Sequence, residues 1–197
     1  KYSGNFNIRY ENLVEGERGF SDYNKGTIYN IQWSHTQDAK ANPNSRFAAS
    51  VNLGSSSYFR NSLNTRNIGS NMNNTLSSSV SYSKTFQSTP QVNLTMSANH
   101  SQNTNTKQIS MSLPNVQASM DRIYPFAPKN GSKKGIIQNL NLQYSLSGRN
   151  QIQTTDSLFF KSQMFDEMIA GVQHNIPLAT NFKLLKYFSV SLTGTYN

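Results

Sequence analysis

Cysteine is absent from the 197 residues, so the chain has neither a disulfide framework nor thiolate ligands for a metal. Long apolar runs are absent too, and nothing approaches the roughly 20 apolar residues that a membrane-spanning helix needs. Charged residues make up only 14% of the chain and hydrophobic residues only 35%, too few for a thick core that is buried on both sides. An ordinary globular domain is therefore a poor description of this composition.

The chain is rich in aromatic residues, with 11 Phe and 10 Tyr, and in neutral Asn, Ser, Thr and Gln side chains. Such an aromatic content excludes a disordered chain. A membrane β-barrel accounts for the combination, because it has an apolar outer surface and a wet interior and needs no dry core. The net charge of +9 raises nucleic acid as a partner, but the basic residues are scattered mainly over connections, so we predict no nucleic-acid binding.

Apolar and polar side chains alternate with period two along the chain, which predicts β-strands. The clearest segment sets Leu140, Leu142, Tyr144 and Leu146 against Asn139, Asn141, Gln143 and Ser145. Each segment is near the roughly 9–11 residues with which a tilted strand crosses a membrane. We find nine such segments, around residues 2–10, 29–35, 47–53, 76–83, 92–99, 109–120, 139–147, 168–176 and 188–193.

The alternation breaks once, around Pro114. Proline cannot donate to a β-ladder and is confined to edges or bulges. A β-bulge at this point returns Val116, Ala118 and Met120 to the apolar face. The alternative is that the strand ends at Leu113.

Three features favour a membrane barrel over a β-sandwich, which also alternates. The polar register is almost uncharged, with Arg9 as an exception, whereas solvent-exposed sheets carry charges that guard their edges. Aromatic residues such as Tyr10 and Tyr29 lie near segment ends, where interfacial girdles belong. Lys84 joins the apolar register only at a segment end, where it can extend to lipid headgroups. We predict an all-β fold of about nine antiparallel transmembrane β-barrel strands.

An odd number of strands does not suit a closed bacterial barrel, which generally has an even number. The chain also lacks an initiator Met and a signal-peptide pattern. We therefore expect residues 1–197 to be part of a single transmembrane β-barrel domain, an excerpt of a longer chain and an arc of a larger outer-membrane barrel.

Connection lengths predict which side of the membrane each loop faces, because bacterial barrels have longer loops outside the cell. Loops near 15–26, 59–74 and 150–166 are assigned to the outside. Successive connections alternate between the two sides of the membrane, which assigns the stretch 121–135 to the periplasmic side. It is long for a periplasmic turn. A short helix can form within 157–169.

Patterns for catalysis, metal binding or cofactor binding are missing from the sequence. The carboxylates lie mostly in connections, and neither a G-x-S-x-G elbow nor a P-loop occurs. His35, His100 and His174 lack ligand spacing and lie on the apolar register at or near segment ends, which predicts an interfacial position. We predict no enzyme activity, no metal and no cofactor.

Four extended stretches resemble the LptD family of lipopolysaccharide-assembly outer-membrane proteins, in its Asn/Ser-rich branch. They are residues 18–60, which begin RGFSDYNKGTIYNIQWSH, residues 73–86 (NNTLSSSVSYSKTF), residues 120–150, which begin MDRIYPFAPKNGSKKG, and residues 154–160 (TTDSLFF). The remainder of the chain has the same strand rhythm.

The resemblance implies a barrel in the outer membrane of a Gram-negative bacterium that transports lipopolysaccharide and inserts it into the outer leaflet. It also implies contacts with membrane lipid and lipopolysaccharide, an LptE-like lipoprotein plug in the lumen, and periplasmic transport partners. The loop residues Arg60 and Arg66 are candidates for contacts with the phosphates or sugars of the glycolipid. In such a barrel the polar register faces the lumen, with the candidates Arg9, Gln32, Asn52, Asn93, Asn139, Asn141, Gln143 and Gln173.

Two other functions share the alternation. One is a nutrient porin or TonB-dependent receptor barrel, and the other is a surface glycan-binding β-sandwich. The complete polypeptide discriminates between them, since an N-terminal β-jellyroll favours lipopolysaccharide transport, a plug domain favours a receptor, and a complete sandwich favours glycan binding.

Overall fold

The structure is a computed structural model that describes residues 1–62, 74–185 and 187–197, except for the side chains of Phe59 and Arg60. Over these residues it contains one antiparallel sheet in which each strand pairs with its neighbours in sequence. The strands are β1 (Tyr2–Glu15), β2 (Asn24–Gln37), β3 (Ser45–Gly54), β4 (Thr75–Phe86), β5 (Val92–Asn103), β6 (Gln108–Ile123), β7 (Asn141–Thr155), β8 (Ile169–Leu184) and β9 (Phe188–Tyr196). The nine segments predicted from alternation, and the all-β antiparallel fold, are confirmed.

The connections gather at two opposite ends of the sheet. The loop end carries 16–23, the described residues of the β3–β4 connection (55–62 and 74), 104–107 and 156–168. The turn end carries 38–44, 87–91, 124–140, and residues 185 and 187. Connection 124–140 is long for the turn end, as the sequence indicated. The loops expected at 15–26 and 150–166 are shorter than predicted, because β1, β2 and β7 continue past the alternating residues.

Short helices lie within these connections in the described part of the chain. They are α1 (Tyr58–Asn61), α2 (Gly135–Gln138) and α3 (Ser162–Asp166). The helix expected within 157–169 is α3, whereas α1 and α2 carried no sequence signal that we recognised.

Pairing registers divide the side chains between two faces, because directly opposed residues of antiparallel strands point to the same side. Phe6 opposes Trp33, and Trp33 opposes Val51, so these three residues share a face. Following the registers across the sheet defines the apolar face: even-numbered residues of β1, β4, β5, β7, β8 and β9, odd-numbered residues of β2 and β3, and Ile109, Met111, Val116, Ala118 and Met120 of β6. The opposite side is the polar face.

The ladder is staggered, so a row of paired residues moves from one end of the sheet to the other. One unbroken row on the polar face begins near the start of β1, at the turn end. The same row ends on the first residue of β8, at the loop end. Its members are Asn5, Ser34, Ser50, Ser79, Asn99, Ser112, Gln151 and Ile169. A stagger of this kind accompanies the strand tilt that barrel closure requires.

The bulge predicted near Pro114 is present in β6. Ser97 opposes Asn115 and Asn99 opposes Ser112, so two residues of β6, Leu113 and Pro114, face one residue of β5. The register shifts at the same place against β7. Because of the extra residue, Val116, Ala118 and Met120 oppose Met96, Leu94 and Val92 on the apolar face. The strand does not end at Leu113.

The bulge makes a prediction about deletions in the complete polypeptide. Deleting Pro114 alone removes the extra residue and leaves every other β6 side chain on its face, so the folded fraction should match that of the parent. Deleting Leu113 and Pro114 together moves Val116, Ala118 and Met120 to the polar face, and the folded fraction should fall by about tenfold or more. Limited proteolysis measures that fraction. Equal yields of the two deletions would contradict the register described above.

Candidate functional site

The apolar face forms a band whose limits are visible on β1 and β2. Its rows run from Tyr2, which opposes Gln37, up to the cross-strand pair Tyr10 and Tyr29. Beyond that pair the same face carries Asn12 opposite Thr27 and Val14 opposite Lys25. The two tyrosines therefore mark the end of the apolar band. They lie at the ends of the alternating segments, as the sequence indicated, but the strands continue beyond them because Asn12 and Thr27 keep the backbone pairing.

An aromatic cluster occupies the apolar face at the turn end. The rings of Tyr2 and His35 are stacked, with centroids 5.8 Å apart, and His35 lies 5.3 Å from Phe47. Trp33 lies 6.0 Å from Phe47. Such amphipathic rings are typical of a membrane–water interface, where one side of the ring is apolar and the other is wet.

Lys84 lies at the turn end of the same apolar face, as its place at the end of an alternating segment predicted. It lies on the apolar face of β4, and its Nζ lies 4.9 Å from the ring centroid of Phe86 at the end of the strand. A lysine in this place can keep its stem on apolar surface and its ammonium in the polar layer.

The polar face carries a groove that crosses β5 to β8. Two adjoining hollows of about 310 Å³ and 350 Å³ share the lining residues Thr95, Gln117 and Ser147. Their lining is uncharged except for Arg149, whose Nε donates to Ser112 Oγ at 3.4 Å. The groove therefore offers amide and hydroxyl groups, which can hydrogen-bond to a polar backbone or to sugars but do not select an ion.

The predicted lumen-facing residues share the polar face, apart from Asn139. Asn93 and Gln173 line the same hollow of the groove, and Asn93 Oδ1 accepts a hydrogen bond from Thr85 Oγ1 at 2.9 Å. Asn52 Oδ1 accepts from Asn30 Nδ2 at 3.0 Å. The polar-face set comprises Arg9, Gln32, Asn52, Asn93, Asn141, Gln143 and Gln173.

Asn139 is a correction to the predicted set. β7 begins at Asn141, two residues later than the alternation indicated, and Asn139 is the residue after α2. Its Nδ2 donates to the Gly135 carbonyl at 2.8 Å, so the side chain satisfies the end of a helical turn. The loop candidates Arg66 and the Arg60 side chain lie outside the described residues.

A loop covers the apolar face at the loop end of β6 and β7. Ile109, Met111 and Ile152 pack with Met164 of α3, and all four are at most 6% exposed. Phe159 of the same loop packs against this cluster. Connection 156–168 is thereby fixed on the sheet by burial of apolar side chains.

Buried polar contacts join two connections across the loop end. Gln102 Nε2 donates to Ser56 Oγ at 3.0 Å and to Asp156 Oδ1 at 3.4 Å, and the Ser56 backbone N–H donates to Asp156 Oδ2 at 3.2 Å. Gln102 is 1% exposed. Leaving such a buried group without partners costs about 1–3 kcal/mol, so these contacts hold the two connections together.

The helix α1 is tied to the polar face of β1. Arg9 Nη1 donates to the hydroxyl of Tyr58 at 3.2 Å, and Ser62 Oγ donates to Glu11 Oε1 at 2.6 Å. Tyr58 is only 1% exposed. Arg9 therefore holds a specific buried side chain, which accounts for this charge on a largely neutral register.

The three histidines have different surroundings. His35 belongs to the aromatic cluster, and His174 Nδ1 lies 2.7 Å from the hydroxyl of Tyr144. His100 is buried, with its ring 6.0 Å from that of Phe159. The interfacial prediction does not describe His100, because connection 156–168 covers it.

Sequence reasoning missed the covered patch at the loop end. A signal existed, since Gln102 and Thr154 are polar residues on the apolar register and both are buried there. Polar residues at apolar positions indicate that protein rather than lipid covers a strand end. Among the described residues, no group of three His, Cys, Asp or Glu side chains could hold a metal. In the same part of the chain, no helix is long and apolar enough to cross a bilayer.

The described residues form a one-layer, two-faced antiparallel meander with a staggered ladder, and they do not form a two-layered sandwich. Over residues 1–197 the chain matches the family described as LptD protein. The chain belongs to the LptD family, as the quoted stretches predicted. Proteins of this family reside in the outer membrane of Gram-negative bacteria and take part in lipopolysaccharide transport. Searches of curated proteins and of solved structures gave no match.

The buried loop cluster leads to a prediction about Met164. Truncation to alanine removes a side chain that is 3% exposed and should cost roughly 2 kcal/mol of local stability, at the lower end for a buried methionine. Hydrogen exchange of amides in 156–168 of the complete polypeptide should then quicken roughly thirtyfold. Met168→Ala is the matched control, since Met168 is 41% exposed, and should change exchange by less than about threefold. Similar effects of both variants would show that the loop is not held by this cluster.

Proposed function

We propose that the chain forms part of the wall of an outer-membrane β-barrel that transports lipopolysaccharide and inserts it into the outer leaflet without covalent catalysis. The observation that carries the barrel is the staggered row combined with two faces of opposite polarity, since tilt, stagger and alternation together are the requirements for a membrane barrel. Membership of the LptD family supports the cargo.

The apolar band supports contact with lipid. It is limited by Tyr10 and Tyr29 on one side and by the aromatic cluster on the other, as expected for the girdles of a barrel. We place the turn end in the periplasm and the loop end outside the cell, because the loop end carries the longer connections apart from 124–140.

The polar face supports a wet lumen. Its groove, with hollows of about 310 Å³ and 350 Å³, is lined by neutral hydrogen-bonding side chains and by Arg149, and it suits the surface of an LptE-like lipoprotein plug. Arg9, Gln32, Asn52, Asn93, Asn141, Gln143 and Gln173 are its proposed lumen-facing members. Arg60 and Arg66 remain candidates for contacts with glycolipid phosphates, and periplasmic transport proteins are the proposed suppliers of the cargo.

Depletion of the complete protein in its host tests the cargo. Surface-labelled lipopolysaccharide should fall as the protein is depleted and return when the parental gene is expressed from a second locus. Uptake of small nutrients, measured in the same cells, should not fall before surface lipopolysaccharide does. Unchanged surface lipopolysaccharide together with an early loss of uptake would replace the transport function by a porin or receptor.

Neighbouring residues of β7 test the assignment of faces. Leu146 lies on the apolar face and Ser147 on the polar face. An arginine on the lipid side costs about 2–4 kcal/mol near the middle of the bilayer, so Leu146→Arg should reduce the amount of full-length protein in the outer-membrane fraction severalfold. Ser147→Arg, which places the same charge on the wet side, should leave that amount within about twofold of the parent. The reverse order would show that the faces are exchanged.

A further inference from the structure

The covered patch at the loop end contains a histidine without hydrogen bonds. His100 is 8% exposed, and within the described part of the chain neither of its ring nitrogens has a hydrogen-bond partner. Ser78 opposes it across the β4–β5 pair, but the Ser78 hydroxyl donates to the Asn52 carbonyl and accepts from the Asn52 backbone N–H. Buried polar groups normally have a partner, so this ring points to a ligand that the protein chain does not supply.

Two methionine side chains belong to the same patch. Met111 directly opposes His100 on the apolar face, across the β5–β6 pair. Met111 and Met164 lie in one buried cluster, where they are 6% and 3% exposed. Phe159 packs against this cluster, and its ring centroid lies 6.0 Å from that of His100. One imidazole and two thioethers are therefore gathered where connection 156–168 covers the sheet, and they come from β5, β6 and α3.

These donors select a soft metal ion of low charge. Thioethers bind Cu(I), whereas Zn²⁺ takes thiolates, imidazoles and carboxylates, and Ca²⁺ and Mg²⁺ take oxygen donors. The carboxylate of Asp156 in the same connection already accepts hydrogen bonds from Ser56 and Gln102. All three donors are neutral. The cost of moving an ion from water into apolar surroundings rises steeply with its charge, which favours a monovalent ion here.

We propose that His100, Met111 and Met164 form a binding site for Cu(I). The ion gives the imidazole the partner that it lacks, and it joins connection 156–168 to β5 and β6. The sequence predicted no metal because the histidines lack ligand spacing, and the fold brings these three ligands together from separate elements. The site lies outside the groove on the polar face and does not depend on what the barrel transports.

The test uses the complete protein in a neutral detergent, under anaerobic conditions, with Cu(I) buffered by bicinchoninate as the probe. Exchange of Met for Leu nearly conserves volume, so M111L/M164L should fold as the parent does. It should bind one Cu(I) ion at least about a hundredfold more weakly than the parent, because two of three ligands are lost. H100L should lose the same ion. The control M96L/M168L, whose methionines are 39% and 41% exposed, should bind as the parent does.

Hydrogen exchange locates the bound ion. With free Cu(I) at about a hundred times its Kd, amides of 156–168 in the parent should exchange about a hundredfold more slowly, because the ion binds only the closed connection. M96L/M168L should show the same protection. Zn²⁺ at the same free concentration should give none, since it takes thioethers poorly.

Three results would overturn the proposal. Equal Cu(I) binding by M111L/M164L and the parent would show that these methionines only fill space in the cluster. Unchanged exchange of 156–168 in the parent, with Cu(I) bound, would place the ion elsewhere, and this result needs no variant that could disturb the fold. Equal protection by Zn²⁺ would reject the thioether ligands.

Discussion

The register in which neighbouring strands pair is the constraint on which the rest of this structure depends. A shift by one residue exchanges the two faces of a strand, and each strand here has one face that carries Leu, Val, Phe and Tyr and another that carries Ser, Asn and Gln. The sheet has no thick core to correct such an error. Hydrogen-bonded pairing therefore fixes both the continuity of the wall and the separation of its two surfaces.

The β6 bulge shows how closely the sequence follows this constraint. Leu113 and Pro114 together occupy the space of one residue, and the alternation on the two sides of them differs by one position in sequence. Without the bulge, half of β6 would present Asn115, Gln117 and Ser119 to the apolar face. The extra residue in the sequence would exchange the faces of the second half of β6, and the β-bulge absorbs that residue and keeps the faces in place.

Most of the fold was predictable because strand period two is a local signal. Nine segments, the bulge and the polar-face positions from Arg9 to Gln173 follow from neighbours in the chain. Strand ends were less predictable. β1 continues past Tyr10 because it keeps its pairing with β2, and β7 begins after Asn139 because Asn139 ends the helix α2. The polar residues Gln102 and Thr154 on the apolar register indicate a covered strand end, but no local pattern identifies its cover, because Met164 and Ile109 are distant in the chain.

The contacts at the loop end differ from the strand ladder in the distance that they span along the chain. Ladder pairs join consecutive strands, so the sheet can grow one hairpin at a time, with little loop entropy lost at each step. The bond from Ser56 to Asp156 joins residues 100 positions apart, and its partner Gln102 lies on a strand between them. It can form only after β4 to β7 have assembled side by side. The contacts at the loop end therefore form later than the ladders of β4 to β7, and they report that these strands lie side by side in the correct order.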